Sequence, residues 1–139
     1  MIGYLRLICS NLIDLDVISS PRCPQQVLDW YNKTKNVVET ERIVIDRHYR
    51  RYHLMPYLFY LGASYIINPI NKVPCRNLIG TFGVPQLVRF GKNMGSYVNP
   101  DWTIRYSEND EPSQILTFDY SHIKDNEQLL NCLITKAKL

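Results

Sequence analysis

The stretch DWTIRYSENDEPSQILTFDY, residues 101–120, decides the fold class. In its first part Trp102, Ile104 and Tyr106 share one parity, and Thr103 and Arg105 share the other. The polar run SENDEP (107–112) follows. Alternation then resumes in QILTFDY (114–120), with Leu116, Phe118 and Tyr120 together. Successive side chains of a strand point to opposite faces, so two alternating runs joined by a polar turn predict an antiparallel hairpin with one buried face.

Downstream, Ser121 or Asp125 can cap a final helix. Leu129, Leu130, Leu133, Ile134 and Ala137 would form its apolar side, with Lys136 and Lys138 at its end. Upstream, VPQLVRF (84–90) predicts a strand and GKNMG a turn. NPINKVPCRNLIG (68–80) predicts a loop, because Pro69 and Pro74 each restrict the residue before them. Residues 54–67 fit a helix with Pro56 in its first turn, and Met55, Phe59 and Gly62 on one face. They fit equally a strand–turn–strand bent at Gly62. NVVETERIVID (36–46) is rich in β-branched residues and predicts one strand or a tight hairpin. SSPRCP (19–24) carries helix-start chemistry in Ser19, Ser20 and its prolines. A helix from about 24 to 35 then places Val27, Trp30, Tyr31 and Thr34 on one stripe. IGYLRLI (2–8) is a short buried strand or the first turns of a helix. The whole predicts a single α+β domain over residues 1–139. Its sheet would be mostly antiparallel, with a C-terminal hairpin, and helices near both termini would cover one face.

Bulk composition agrees. The chain has 139 residues, of which 45% are hydrophobic and 21% charged, so it reads as globular rather than disordered. A net charge of +3 permits a local basic patch without implying a chain that coats nucleic acid. Ten tyrosines suit a half-buried sheet or an interface, since the ring packs while the hydroxyl stays wet. Cys9, Cys23, Cys75 and Cys132 show no C-x-x-C spacing, which argues against a zinc site. The opening MIGYLRLICSNLID is a poor signal peptide, so the thiols are expected reduced and the location cytoplasmic. Asn32-Lys33-Thr34 matches the glycosylation triplet, read as chance on the same ground. No window reaches the roughly 20 apolar residues of a membrane span.

The densest chemistry lies in RHYRRYH (47–53). Arg47, Arg50 and Arg51 offer planar donor forks that fit phosphate, and Tyr49 and Tyr52 offer stacking platforms for unpaired bases. Arg42, Lys72, Arg76, Arg89 and Lys92 could extend the patch if the fold gathers them. The competing reading is a solvated turn with the tyrosines tucked inward and the arginines paired to Asp46 or Glu41. A membrane-surface reading is weaker, because the basic residues precede the apolar run instead of sharing a helix with it. His48 and His53 are five apart, and His122 stands alone beside Asp119 and Asp125, so no spacing demands acid–base chemistry.

PRCPQQVLDWY places Cys23 at a predicted helix start, where the dipole lowers a thiol pKa. Together with IVID and then YHLMPYLFYLG, or alternatively FGVPQLVRFGKN (82–93), this order resembles the thioredoxin-like superfamily, in which a proline preceding a strand faces the cysteine. Gln26 stands where the second cysteine of the usual pair would be. The resemblance implies a redox-inactive adaptor or a one-cysteine enzyme.

No Gly-rich phosphate loop, nucleophile elbow or paired metal ligands occur. Tyr, Trp and Arg are the residues enriched at binding hot spots. The expected function is therefore a small non-enzymatic interaction protein, without cofactor or metal, that binds a protein partner or its own copies. RNA or single-stranded DNA is the alternative, held by Arg47, Tyr49, Arg50, Arg51 and Tyr52. The Ile-, Asn- and Tyr-rich composition is common among viral and phage proteins, an association without physical content.

Overall fold

The computed structural model describes residues 2–52 and 54–120. The predicted C-terminal helix, with Cys132 and His122, lies outside the described residues, as does His53. The elements run β1 (Gly3–Cys9), α1 (Asp16–Ser19), α2 (Gln25–Thr34), β2 (Val37–Ile45), a 3₁₀ helix (Arg47–Tyr52), α3 (Leu54–Ile67), β3 (Asn77–Phe82), α4 (Pro85–Asn93), β4 (Tyr97–Ile104) and β5 (Ser113–Asp119). The described strands form one sheet in the order β1-β2-β3-β5-β4. Only β2 and β3 pair in parallel, and α3 lies in the crossover between them. The domain is thus α+β with a mostly antiparallel sheet, and β4 and β5 pair as the antiparallel hairpin read from 101–120.

The expectation of helices on a single face is corrected. Val17 of α1 and Val27 of α2 pack with Val37, Ile79, Ile104 and Ile115 on one side. Ala63 and Ile66 of α3 pack with Val38, Leu78 and Phe118 on the other. The reason lies in β3 and β5, which are interior strands. Their neighbouring residues Leu78 and Ile79, and Ile115 and Leu116, are all buried, so both faces are apolar and both need cover. Edge strand β4 keeps the expected alternation, with Trp102 and Ile104 buried and Thr103 and Arg105 exposed. Tyr106 lies past the end of β4 and is 46% exposed, not buried with them.

Residues 84–90 form α4 rather than a strand. Pro85 occupies the first turn, where its missing N–H costs nothing and its fixed φ suits a helix. Gly95, at φ 93°, ends the segment in a left-handed conformation that glycine tolerates. Residues 36–46 make one strand, not a hairpin. Residues 54–67 are helical, and Gly62 lets α3 approach β1: a Cβ there would meet Leu7 and Leu5 at 3.1 and 3.2 Å. The loop read over 68–80 gives way to β3 at Asn77.

The N-terminal helix begins at Gln25, with Val27 buried and Trp30, Tyr31 and Thr34 half-buried, as the stripe predicted. Its start has no side-chain cap. Ser20 Oγ instead accepts the Arg22 amide at 3.2 Å in the preceding turn. The short helix α1 has no counterpart in the sequence reading. No helix among the described residues is long and apolar enough to cross a membrane.

Candidate functional site

The basic-aromatic residues 47–52 form a single 3₁₀ helix at the C-terminal end of β2. Arg47, His48, Tyr49 and Arg50 are all exposed. Asp46 opens the turn: its Oδ1 accepts the His48 amide at 2.8 Å and lies 3.1 Å from His48 Nδ1, and these bonds hold its carboxyl below the usual range. Arg50 Nε donates to the Ile45 carbonyl at 3.2 Å. Glu41, one of the partners expected for these arginines, is met by Arg6 of β1, whose Nη1 lies 3.5 Å from Glu41 Oε2. Nor do Lys72 and Arg76 join the patch. They follow the far end of α3, a 14-residue helix about 21 Å long. Arg76 Nη1 is spent on the carbonyls of Val73 and Cys75, at 2.7 and 3.0 Å.

Cys23 stands two residues ahead of α2, half-buried, and burial raises its pKa. That is the reverse of the shift expected at a helix start. Pro56 lies inside α3 and Pro85 opens α4, so neither proline precedes a strand as the thioredoxin-like order requires. Among the described residues no group of three or more His, Cys, Asp or Glu side chains could hold a metal ion.

Two open clefts went unread in the sequence. One, of about 560 Å³, lies where the pairing of β2 with β3 ends and is lined by Asp16, Glu39, Glu41, Arg42, Thr81 and Tyr106. Glu39 is 3% exposed, and burial lifts its carboxyl to about 7 against two backbone hydrogen bonds that pull it down. Those bonds come from the amides of Asp16 and Val17, so Glu39 ties α1 to β2. Glu41 is raised as well, first through its hydrogen bond to Asp16 and then by burial.

The second cleft, of about 590 Å³, lies between α2 and the opposite end of the sheet. Trp30, Tyr97 and Trp102 give it aromatic walls, and Asp29, Lys33 and Asn77 stand among its polar lining. Trp102 Nε1 donates to Gln26 Oε1 at 3.0 Å, which fixes the indole against α2. The Tyr97 ring meets Trp102 edge-on, centroids 5.4 Å apart at 71°.

Residues 97 and 102 have opposite parity and would point apart on a regular strand. A bulge brings them together. The step from Val98 to Thr103 on β4 faces only the step from Leu116 to Gln114 on β5. Gln114 Nε2 holds the bulge by donating to the carbonyls of Asn99 and Trp102, at 2.7 and 3.0 Å. Pro100 within YVNPDW was the available signal, since proline in a strand marks an edge or a bulge.

Comparison of the chain with models of protein families, with curated proteins and with solved structures finds no match.

Proposed function

We propose that the chain is a non-catalytic interaction protein that self-associates through the outer face of α3. The supporting observation is the exposure of Leu61 and Tyr65, 45% and 60%, on a helix whose 14 residues include no charged side chain. Leu61 and Tyr65 are four apart and share a face, turned from the Phe59, Ala63 and Ile66 side that packs inward. Ile70, 84% exposed, follows just past the helix. A second copy meets such a face without like-charge repulsion, and a two-fold contact needs only that the patch complement itself. Analytical ultracentrifugation of the full chain tests this. The expected result is a concentration-dependent dimer, insensitive to salt, that Leu61→Lys and Tyr65→Lys each return to monomer. A wild-type chain that stays monomeric at every concentration removes the reading.

Single-stranded nucleic acid is the second reading, favoured by the exposure of Arg47, His48, Tyr49 and Arg50 on one turn, with exposed Arg42 on the strand that leads into it. Phosphate contacts weaken steeply with salt whereas an apolar interface does not, so the two readings separate in one titration.

A further inference from the structure

We propose that the cleft between α2 and the β4 bulge is a carbohydrate site, taking a neutral pyranose stacked on Tyr97. The proposal goes beyond the interaction reading and does not depend on it, since this cleft and the outer face of α3 lie on opposite faces of the sheet.

Three features of the cleft carry the argument. First, its aromatic surface is offered, not merely packed. Trp102 is buried and pinned to Gln26, but the Tyr97 ring beside it is 55% exposed. Its edge-on contact with Trp102 uses only part of the ring, and the rest is left open over a cleft of about 590 Å³. Second, the bulge that brings Tyr97 and Trp102 to one face is built and held. The Gln114 side chain spends its amide on two bulge carbonyls to keep it. Bulges re-aim side chains and are over-represented beside sites.

Third, the polar lining selects the ligand class. Asp29 accepts hydrogen bonds, Lys33 donates, Gln26 keeps its amide donors while its Oε1 holds Trp102, and the Asn77 amide can do both. A ring of hydroxyls, each donor and acceptor, matches that mixed set. A phosphorylated ligand would meet the Asp29 carboxylate beside the Lys33 ammonium. An alkylammonium would meet Lys33 and leave the amide donors unused. A pyranose also presents a face of C–H groups, polarised positive, to the negative face of an aromatic ring.

The chain's only two tryptophans, Trp30 and Trp102, both line this cleft, so intrinsic fluorescence reports on it directly. The test is a fluorescence titration of the full chain with methyl glucoside, methyl galactoside, methyl mannoside, their N-acetylated counterparts, cellotetraose and maltotetraose. Tetramethylammonium and adenosine are run in parallel. The expected result is a saturable change with at least one glycoside in the millimolar range or tighter. Tyr97→Ala should weaken it about tenfold, the size of one stacking contact. Asp29→Ala, on the exposed side of α2, should weaken it also, while Tyr4→Ala on β1 leaves it unchanged. Circular dichroism confirms that each variant folds. The proposal is overturned if no glycoside gives a saturable change, or if Tyr97→Ala and Asp29→Ala both bind like wild type. A saturable response to tetramethylammonium or adenosine alone likewise overturns it and assigns the cleft to that chemistry.

Discussion

Glu39 Oε2 accepts the backbone amide of Asp16 at 2.7 Å, so a carboxylate on β2 closes the first turn of α1. Burial holds this carboxyl at about 7, against 4.5 for the unperturbed group. Between those values the folded chain binds a proton that the unfolded chain has lost, so stability falls as pH rises through that window. The groups facing Glu39 are Asp16 and Glu41, which oppose its charge. Glu41, raised in the same direction, adds the same sign. Urea unfolding should therefore show greater stability near pH 5 than near pH 8, with Glu39 contributing a slope of at most about 1.4 kcal/mol per pH unit. Glu39→Gln should flatten the profile. An unchanged slope in that variant would show that Glu39 is not the titrating group.

Gln114 is the residue on which the β4 bulge depends. Its Nε2 donates to Asn99 O, Trp102 O and Ile115 O at 2.7, 3.0 and 3.2 Å. Leucine has a similar shape but no donor, and it leaves those carbonyls without their partner. Gln114→Leu is expected to lower stability by about 1–3 kcal/mol, the cost of stranding buried polar groups. It should also shift tryptophan emission, because the bulge sets Trp102. Equal stability with unchanged emission would mean that the bulge holds itself.

The sequence made some of this legible, and the limits are physical. Trp102 and Ile104 of β4 and the stripe of Val27, Trp30 and Tyr31 were readable because each buries one face only, so period and burial coincide. Residues 84–90 misled because a short apolar run fits strand or helix. Pro85 at a first turn was the deciding clue. The two-sided cover of β3 and β5 was hidden because Thr117, a polar residue, occupies a buried position. In the candidate sites, Arg47, Tyr49 and Arg50 were visible as a local run. The aromatic cleft was not, since it joins Trp30 to Tyr97 and Trp102 across the chain through a change of strand parity.

Cys23 and Cys75 should be slow toward alkylation. Burial raises Cys23, and burial, followed by the neighbouring Cys9, pushes Cys75 up to about 11. The thiolate is the reactive form, so little of either is available at neutral pH. Iodoacetamide labelling of the native chain, read by peptide mass spectrometry, should leave Cys75 unmodified until denaturant is added. Cys23 should label more slowly than a thiol in an unfolded peptide. Rapid labelling of native Cys23 at mildly acidic pH would instead reveal an activated nucleophile and revive a one-cysteine chemistry.

Arg47 and Arg50 are exposed on one 3₁₀ helix, and Arg50 Nε donates to Ile45 O. If phosphates bind here, each contact releases counterions, and the log–log salt dependence for a single strand steepens by about 0.7 per phosphate. Anisotropy of labelled single-stranded RNA and DNA should then show binding that weakens with salt. Arg47→Glu and Arg50→Glu should each reduce that slope by about 0.7 without loss of fold. Tyr49→Ala should weaken binding without changing the slope, since a stacked base carries no counterion. Absence of binding at low salt would mark the turn as a solvated edge, its histidine and arginine engaged with Asp46 and Ile45, and would leave self-association through α3 as the remaining reading.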